Sequence, residues 1–208
     1  MAILHGAKLT PSKLELLSAH ISDQPWFDAS QSQTFEILGA FRFDDPAGEV
    51  GVETHFVSAG DGPVIQIPLT YRGAPRPDSD DWLITTMDHS VLGKRWVYNA
   101  CSDPVYVAEL VRAILTGGTQ VEQFRKTPDG LVLFEPTATV QGSGAEGTPV
   151  PTIDSVDTVL EGSGTVIQAG GLEIVVRHLL TAQSDVDERS LSGSWSGIEQ
   201  PALLAFLR

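Results

Sequence analysis

The residue types able to do chemistry are scattered along this sequence, and spacing decides what each grouping can do. Gly142-Ser143-Gly144-Ala145-Glu146-Gly147 spells G-x-G-x-x-G, the pattern with which a helix N-terminus offers backbone N–H groups to a pyrophosphate. Thr148-Pro149-Val150-Pro151 follows directly and forbids that helix, so the glycines read as a flexible loop. Asp88-His89-Ser90 strings together acid, imidazole and hydroxyl. Neighbouring residues point apart, however, and a triad is assembled across a fold, so this reads as a structural loop. None of His5, His20, His55, His89 and His178 has a second His or Cys at ligand spacing, and no metal site is expected. Cys101 has no base beside it and reads as a buried structural thiol. Asp78, Asp80 and Asp81 read as a solvated acidic loop. No catalytic residue emerges.

Composition narrows the partners. With 208 residues, 41% of them apolar and 19% charged, the chain can bury a core as one large domain or two small lobes. A net charge of −14 repels phosphate backbones and anionic headgroups, which argues against nucleic-acid and membrane partners. A single cysteine excludes an intrachain disulfide and suits a reducing cytoplasm. No stretch approaches the roughly 20 apolar residues of a membrane span. Residues 1–9 lack the basic and apolar regions of a signal peptide, so the expected location is the cytoplasm.

The elements that would position any site centre on residues 81–122, read as strand, loop, strand, helix. Asp103 is the N-cap, Pro104 takes N1, and Val107, Ala108, Val111, Ile114 and Leu115 follow a helical period that Gly117-Gly118 ends. Trp82-Leu83-Ile84 and Arg95-Trp96-Val97-Tyr98 have strand composition. Upstream, 3–9 reads as a strand, 12–20 as a helix, and Trp26-Phe27 as a loop anchor. Residues 34–44, 49–58 and 63–72 read as strands. In the second, Val50, Val52, Thr54 and Phe56 alternate with Glu49, Gly51, Glu53 and His55, which predicts an antiparallel meander with one covered face. The two helices are the candidates to cover it. Downstream, 120–126 and 130–136 read as strands about a tight turn, Thr127-Pro128-Asp129-Gly130. Residues 141–151 read as a linker or mobile loop; 155–160, 165–169 and 172–178 as strands, the last two joined by Gly170-Gly171. Residues 182–197 read as a polar loop and 201–208 as an apolar run.

Thr86-Met87-Asp88-His89-Ser90-Val91-Leu92-Gly93 followed by Arg95-Trp96-Val97-Tyr98-Asn99-Ala100 resembles the N-terminal cap region of the actinobacterial maltokinase family. Pro68-Leu69-Thr70-Tyr71-Arg72-Gly73 and Ala113-Ile114-Leu115-Thr116-Gly117-Gly118 extend the resemblance. In the second half, Glu161-Gly162-Ser163-Gly164-Thr165-Val166-Ile167 and Gly170-Gly171-Leu172-Glu173-Ile174-Val175-Val176-Arg177 resemble the hairpin of that family's kinase N-lobe. The resemblance implies a vestigial nucleotide loop at Gly162, Ser163, Gly164 and Thr165. It places Val176 where the kinases have their phosphate-pairing lysine. No lysine follows Lys126, and Arg177, the substitute, has a fork geometry unlike a compact ammonium. The run at 201–208 would then lead towards an interlobe hinge. No H-x-D followed by Asn and no D-F-G equivalent occurs, so kinase activity is not expected, and no resident cofactor, ATP and magnesium included, is implied.

The fold so implied is α+β: an antiparallel sheet with helical cover, a cystatin-like cap, over 1–118, and a smaller β-rich, kinase N-lobe-like subdomain over 119–208. Three functions follow from this reading. The first is a non-catalytic homologue acting as a binding or regulatory protein partner in α-glucan or trehalose metabolism. The second is half of a split sugar kinase completed by a separate lobe, which requires an exposed apolar edge at 201–208. The third is a small-ligand binder on the concave side of the first sheet, walled by Trp82, Trp96 and Tyr98. Against the third stands the reading of these aromatics as core.

Overall fold

The computed structural model describes residues 2–4, 6–28, 34–127, 130–180 and 189–208. In chain order, β1 (Ala2–Leu4) and β2 (Leu9–Thr10) lead into helix α1 (Lys13–Ser22). Then come β3 (Phe35–Phe43), β4 (Gly51–Ala59), β5 (Val64–Arg72), β6 (Leu83–His89) and β7 (Gly93–Asn99). Helix α2 (Pro104–Thr116) follows, then β8 (Gln123–Thr127), β9 (Gly130–Phe134), β10 (Ala138–Gly142) and β11 (Asp157–Glu161). The chain continues with β12 (Gly164–Ala169), β13 (Leu172–Arg177), β14 (Leu179–Leu180), β15 (Ser190–Trp195) and β16 (Ala202–Leu207). The class is α+β, and the sheets are mostly antiparallel. No helix among the described residues is long and apolar enough to cross a membrane.

The first large sheet has the order β2-β6-β7-β5-β4-β3, with β14 paired to β5. A second sheet runs β10-β15-β16-β13-β12-β11, and a small third one β1-β8-β9. The helices cover opposite faces of the first sheet. Ser12 opens α1 with a capping box: its hydroxyl accepts from the Glu15 N–H at 3.3 Å, and Glu15 accepts from the Ser12 N–H at 2.8 Å. Leu16, Leu17 and Ile21 of α1 pack on Val57, Ile65, Ile67, Leu69 and Val97. On the other face, Tyr106, Val107, Leu110 and Ile114 of α2 share a core with Phe41, Val52 and Phe56 of the first sheet and Val140, Ile167, Ile174 and Leu204 of the second. Each such side chain contributes about 1.5–3 kcal/mol on burial, so α2 is the element that joins the two sheets.

Two covered faces replace the one expected. Glu53 and His55, on the face read as solvent-exposed, are only 5% and 1% exposed because α1 lies over that side. The opening strand read at 3–9 is two short strands, β1 pairing in parallel with β8 and β2 antiparallel with β6. Pro128 and Asp129 of the expected turn lie outside the described residues, as do His5 and residues 182–188 of the expected polar loop. The rest of that loop contains a strand, β15, paired with β10 and β16. Gly193 makes this possible: a Cβ there would stand 2.6 Å from Leu204 Cδ1. The apolar run at 201–208 is strand β16, central in the second sheet, with Leu203, Leu204 and Ala205 buried. The exposed apolar edge that a split kinase requires there is absent.

The G-x-G-x-x-G stretch is held against α2 rather than free. Gly144 and Ala145 N–H groups donate to the carbonyls of Ile114 and Leu115 at 2.8 and 3.1 Å, satisfying the open end of the helix. A Cβ on Gly144 would meet Leu115 O at 2.0 Å, so only glycine allows this approach. The motif thus serves a helix C-terminus, the opposite pole from a phosphate cradle. Gly170 and Gly171, with φ of 57° and 78°, make the expected tight hairpin between β12 and β13.

Candidate ligand-binding site

Helix α1 covers only part of its face of the first sheet. Past its N-terminus lies a cavity of about 450 Å³, floored by Gly51, Glu53 and Tyr71 and walled by Lys13, Arg42, Met87 and Arg95. The alternation of β4 and β5 brings the floor together, since Gly51 pairs with Tyr71 and Glu53 with Leu69. Arg42 enters from β3, where it pairs with Glu53. Arg95 enters from β7, on the same face as Val97.

A buried polar network lies under this cavity. Lys13 Nζ donates to both Glu53 carboxylate oxygens, at 2.8 and 2.7 Å. His55 Nε2 lies 3.3 Å from Glu53 Oε2, and the Tyr71 hydroxyl lies 3.5 Å from the same nitrogen. Burial pushes the Glu53 carboxyl up. The opposing pull of His55, Lys13 and Arg42 is larger and holds it well below the usual carboxylate range. Tyr71 is pushed well above its ordinary value, first by burial and then by the Glu53 charge. Glu53 is therefore an anion whose charge is met by protein groups, and Tyr71 keeps its proton. His55 Nδ1 is buried without a partner among the described residues. The arrangement suits recognition of a small polar ligand.

The sequence reading offered Trp82, Trp96 and Tyr98 as walls of a ligand site on the first sheet, with core as the alternative; the cavity is lined by other side chains. Lys94, Trp96 and Tyr98 alternate to the face away from α1, and neither Trp96, Tyr98 nor Trp82 lines the cavity. Tyr98 is fully buried and its hydroxyl accepts from the Arg76 N–H at 2.8 Å, so it is core, while Trp96 carries Lys94 Nζ 5.2 Å over its ring. The signal for this cavity in the sequence was Glu53-x-His55 on the polar side of an otherwise apolar strand, together with Gly51.

The residues read as a vestigial nucleotide loop sit elsewhere. Gly162 and Ser163 are the turn between β11 and β12, and Gly164 pairs with Arg177 across β12 and β13. Thr165 is fully buried, its hydroxyl 2.7 Å from His178 Nε2. Arg177 offers its carbonyl to Gln66 Nε2 at 2.7 Å, and His178 Nδ1 lies 3.2 Å from the Gln66 carbonyl. Together these residues form a seam between the two large sheets, with Trp26 stacked on His178 at 5.4 Å and 11°. Cys101 is buried, as expected, and burial pushes its thiol up to about 12. His89 Nδ1 accepts from the Val91 and Leu92 N–H groups, a turn contact, also as expected. Among the described residues no cluster of three or more His, Cys, Asp or Glu is placed to hold a metal ion.

The architecture is thus an antiparallel sheet with one helix across a half-open face and a second helix wedged behind it. Residues 20–103 match the family model of the maltokinase N-terminal cap domain, the family that the strings around 86–100 resemble. The matched segment runs from His20 in α1 to Asp103, the N-cap of α2, and so contains β3 to β7 and most of the cavity floor and walls. No curated protein matches the chain.

Proposed function

We propose that this chain is a non-catalytic protein of the maltokinase-cap kind that works in the cytoplasm by binding a small ligand, as a regulatory partner in α-glucan or trehalose metabolism. The observation that carries this reading is the open half of the α1 face, where a cavity of about 450 Å³ sits on the Lys13–Glu53–Tyr71 floor. That volume falls within the roughly 300–1,000 Å³ of small-molecule sites. Lys13, Glu53 and Tyr71 of the floor each have a polar neighbour, which suits the recognition of a polar ligand. A cystatin-like cap over 1–118 and an N-lobe-like subdomain over 119–208 are its finer structural parts, the first supported by α1 lying across an antiparallel sheet.

The test pairs an activity assay with a binding assay on the purified chain. With ATP, magnesium and maltose, no maltose phosphate should form. Maltose and related sugars should raise the melting temperature, and Gly51→Leu, which fills the floor, should remove that effect. Phosphate transfer, or a shift unaffected by Gly51→Leu, would overturn the reading.

One observation favours a protein partner in addition. Strand β9 is the outer strand of the small sheet, and its Leu131, Val132 and Leu133 are 48%, 54% and 48% exposed. An edge strand apolar on both faces is suited to receiving an added strand. Val132→Lys should abolish co-purification of a partner from native extract while leaving ligand binding intact.

A further inference from the structure

The cavity holds two guanidinium groups, Arg42 and Arg95, that make no salt bridge within 4 Å among the described residues, although Arg42 contributes to the field on Glu53. Arg42 Nη2 lies over Gly51: a Cβ at Gly51 would be 3.2 Å from it and 3.4 Å from Tyr71 Cβ. Arg95 Nη1 lies over Gly73 in the same way, 2.8 Å from where a Cβ would be. Each guanidinium therefore lies over a glycine, where a side chain would have to share its space. Gly51 pairs with Tyr71, and Gly73 is two residues further along, so the two seats are roughly 8 Å apart by strand geometry. Arg95 Nη2 donates to the Leu92 carbonyl at 2.6 Å, but its Nε is buried without a partner among the described residues. Arg42 makes no side-chain hydrogen bond among the described residues.

Of the four carboxylates that line the cavity, three are engaged. Asp45 accepts from the Ala47, Glu49 and Val50 N–H groups. Glu53 is held by Lys13, and Asp44 is also engaged. Glu49 stands exposed at the β3–β4 turn. A chain of net charge −14 thus places two forked cations, neither in a salt bridge among the described residues, in this one cavity.

We propose that this site takes a small organic anion, its phosphate or carboxylate group bridged by Arg42 and Arg95 and its remaining part lying over Tyr71. A guanidinium offers paired N–H donors that match either group. The proposal rests on the ligand-binding reading of the cavity and specifies the ligand's charge.

Calorimetric titration of the full chain with glucose 6-phosphate, glucuronate and neutral maltose tests it. One of the two anions should bind more tightly than maltose, and which one separates phosphate from carboxylate. Binding should weaken as salt is raised, and Arg42→Gln and Arg95→Gln should each weaken it about tenfold or more. Arg42→Lys, which keeps the charge without the fork, should fall between, and serves if the glutamine variant is poorly folded. If maltose binds in a Gly51→Leu-sensitive way while neither anion does better, the anion proposal falls and the cavity reading stands. Should none of the three bind, both fall. Anion binding unchanged in both arginine variants overturns the proposal alone.

Discussion

Lys13, the first residue of α1, holds both carboxylate oxygens of Glu53 on β4, forty residues away. This ion pair fixes where the helix begins over the sheet, and so how much of the face is left open. Lys13→Met removes the cation from a carboxylate that is 94% buried. A loss of about 1–3 kcal/mol is expected, moderated because Lys13 is one-third exposed. Glu53→Gln should cost less than Lys13→Met, since it leaves no buried anion behind. Urea denaturation of the two variants checks the order; the reverse order would mean that the pair does not organise the floor.

Asp103 is the second buried anion and the N-cap of α2. It accepts from Val105 N–H, Thr70 Oγ1 and, through both oxygens, Arg72 at 2.8 Å. Asp103→Asn keeps a cap but unbalances the Arg72 fork, and about 3 kcal/mol of stability should be lost. A midpoint shift equivalent to under about 1 kcal/mol would show that the clamp is dispensable.

The acid response has a sign fixed by two imidazoles. Burial and the nearby His178 lower His20 to about 4, against a weaker opposing pull from Asp23, and burial lowers His178, against its bond to the Gln66 carbonyl. The folded state therefore holds both neutral, while the unfolded chain takes up protons near 6.5. Stability should be complete above that pH and fall as pH drops from 6.5 towards 4. Glu53 and Asp103, both lowered, stay charged through this window and lose their contribution only in stronger acid. Melting temperatures from pH 8 to 4 should slope downward, and His20→Gln should flatten the slope. An unchanged slope in that variant would remove His20 from the account.

Gly144→Ala places a methyl group on the Leu115 carbonyl and breaks the cap on α2. At least about 2 kcal/mol should be lost. Gly147→Asn, in the same loop but with open space around its Cβ and a φ of 83° that asparagine tolerates, should cost under about 1 kcal/mol. Equal effects would mean that the motif is not a helix cap.

What the sequence made legible was local. Asp103-Pro104 and Gly117 defined α2 because caps act within one turn. The alternation of β4 was equally plain, but period 2 says only that two faces differ. Glu53 and His55 read as solvent-facing because their neutraliser, Lys13, comes from a distant element. SLSGSW concealed β15 for a related reason: its apolar contribution is the gap at Gly193 that Leu204 fills. The aromatic residues were visible, but the facing of β7 depends on which side α1 occupies, so Arg95 and not Trp96 reached the cavity.

The most direct measurement is mapping of backbone amide chemical shifts in the ¹⁵N-labelled chain as a sugar or sugar-derived anion is added. Saturable shifts should gather at Lys13, Arg42, Gly51, Glu53, Tyr71 and Arg95, and ATP with magnesium should leave Gly162 to Arg177 unmoved. Shifts confined to that hairpin, or spread without saturation, would contradict a ligand site on the open half of the cap.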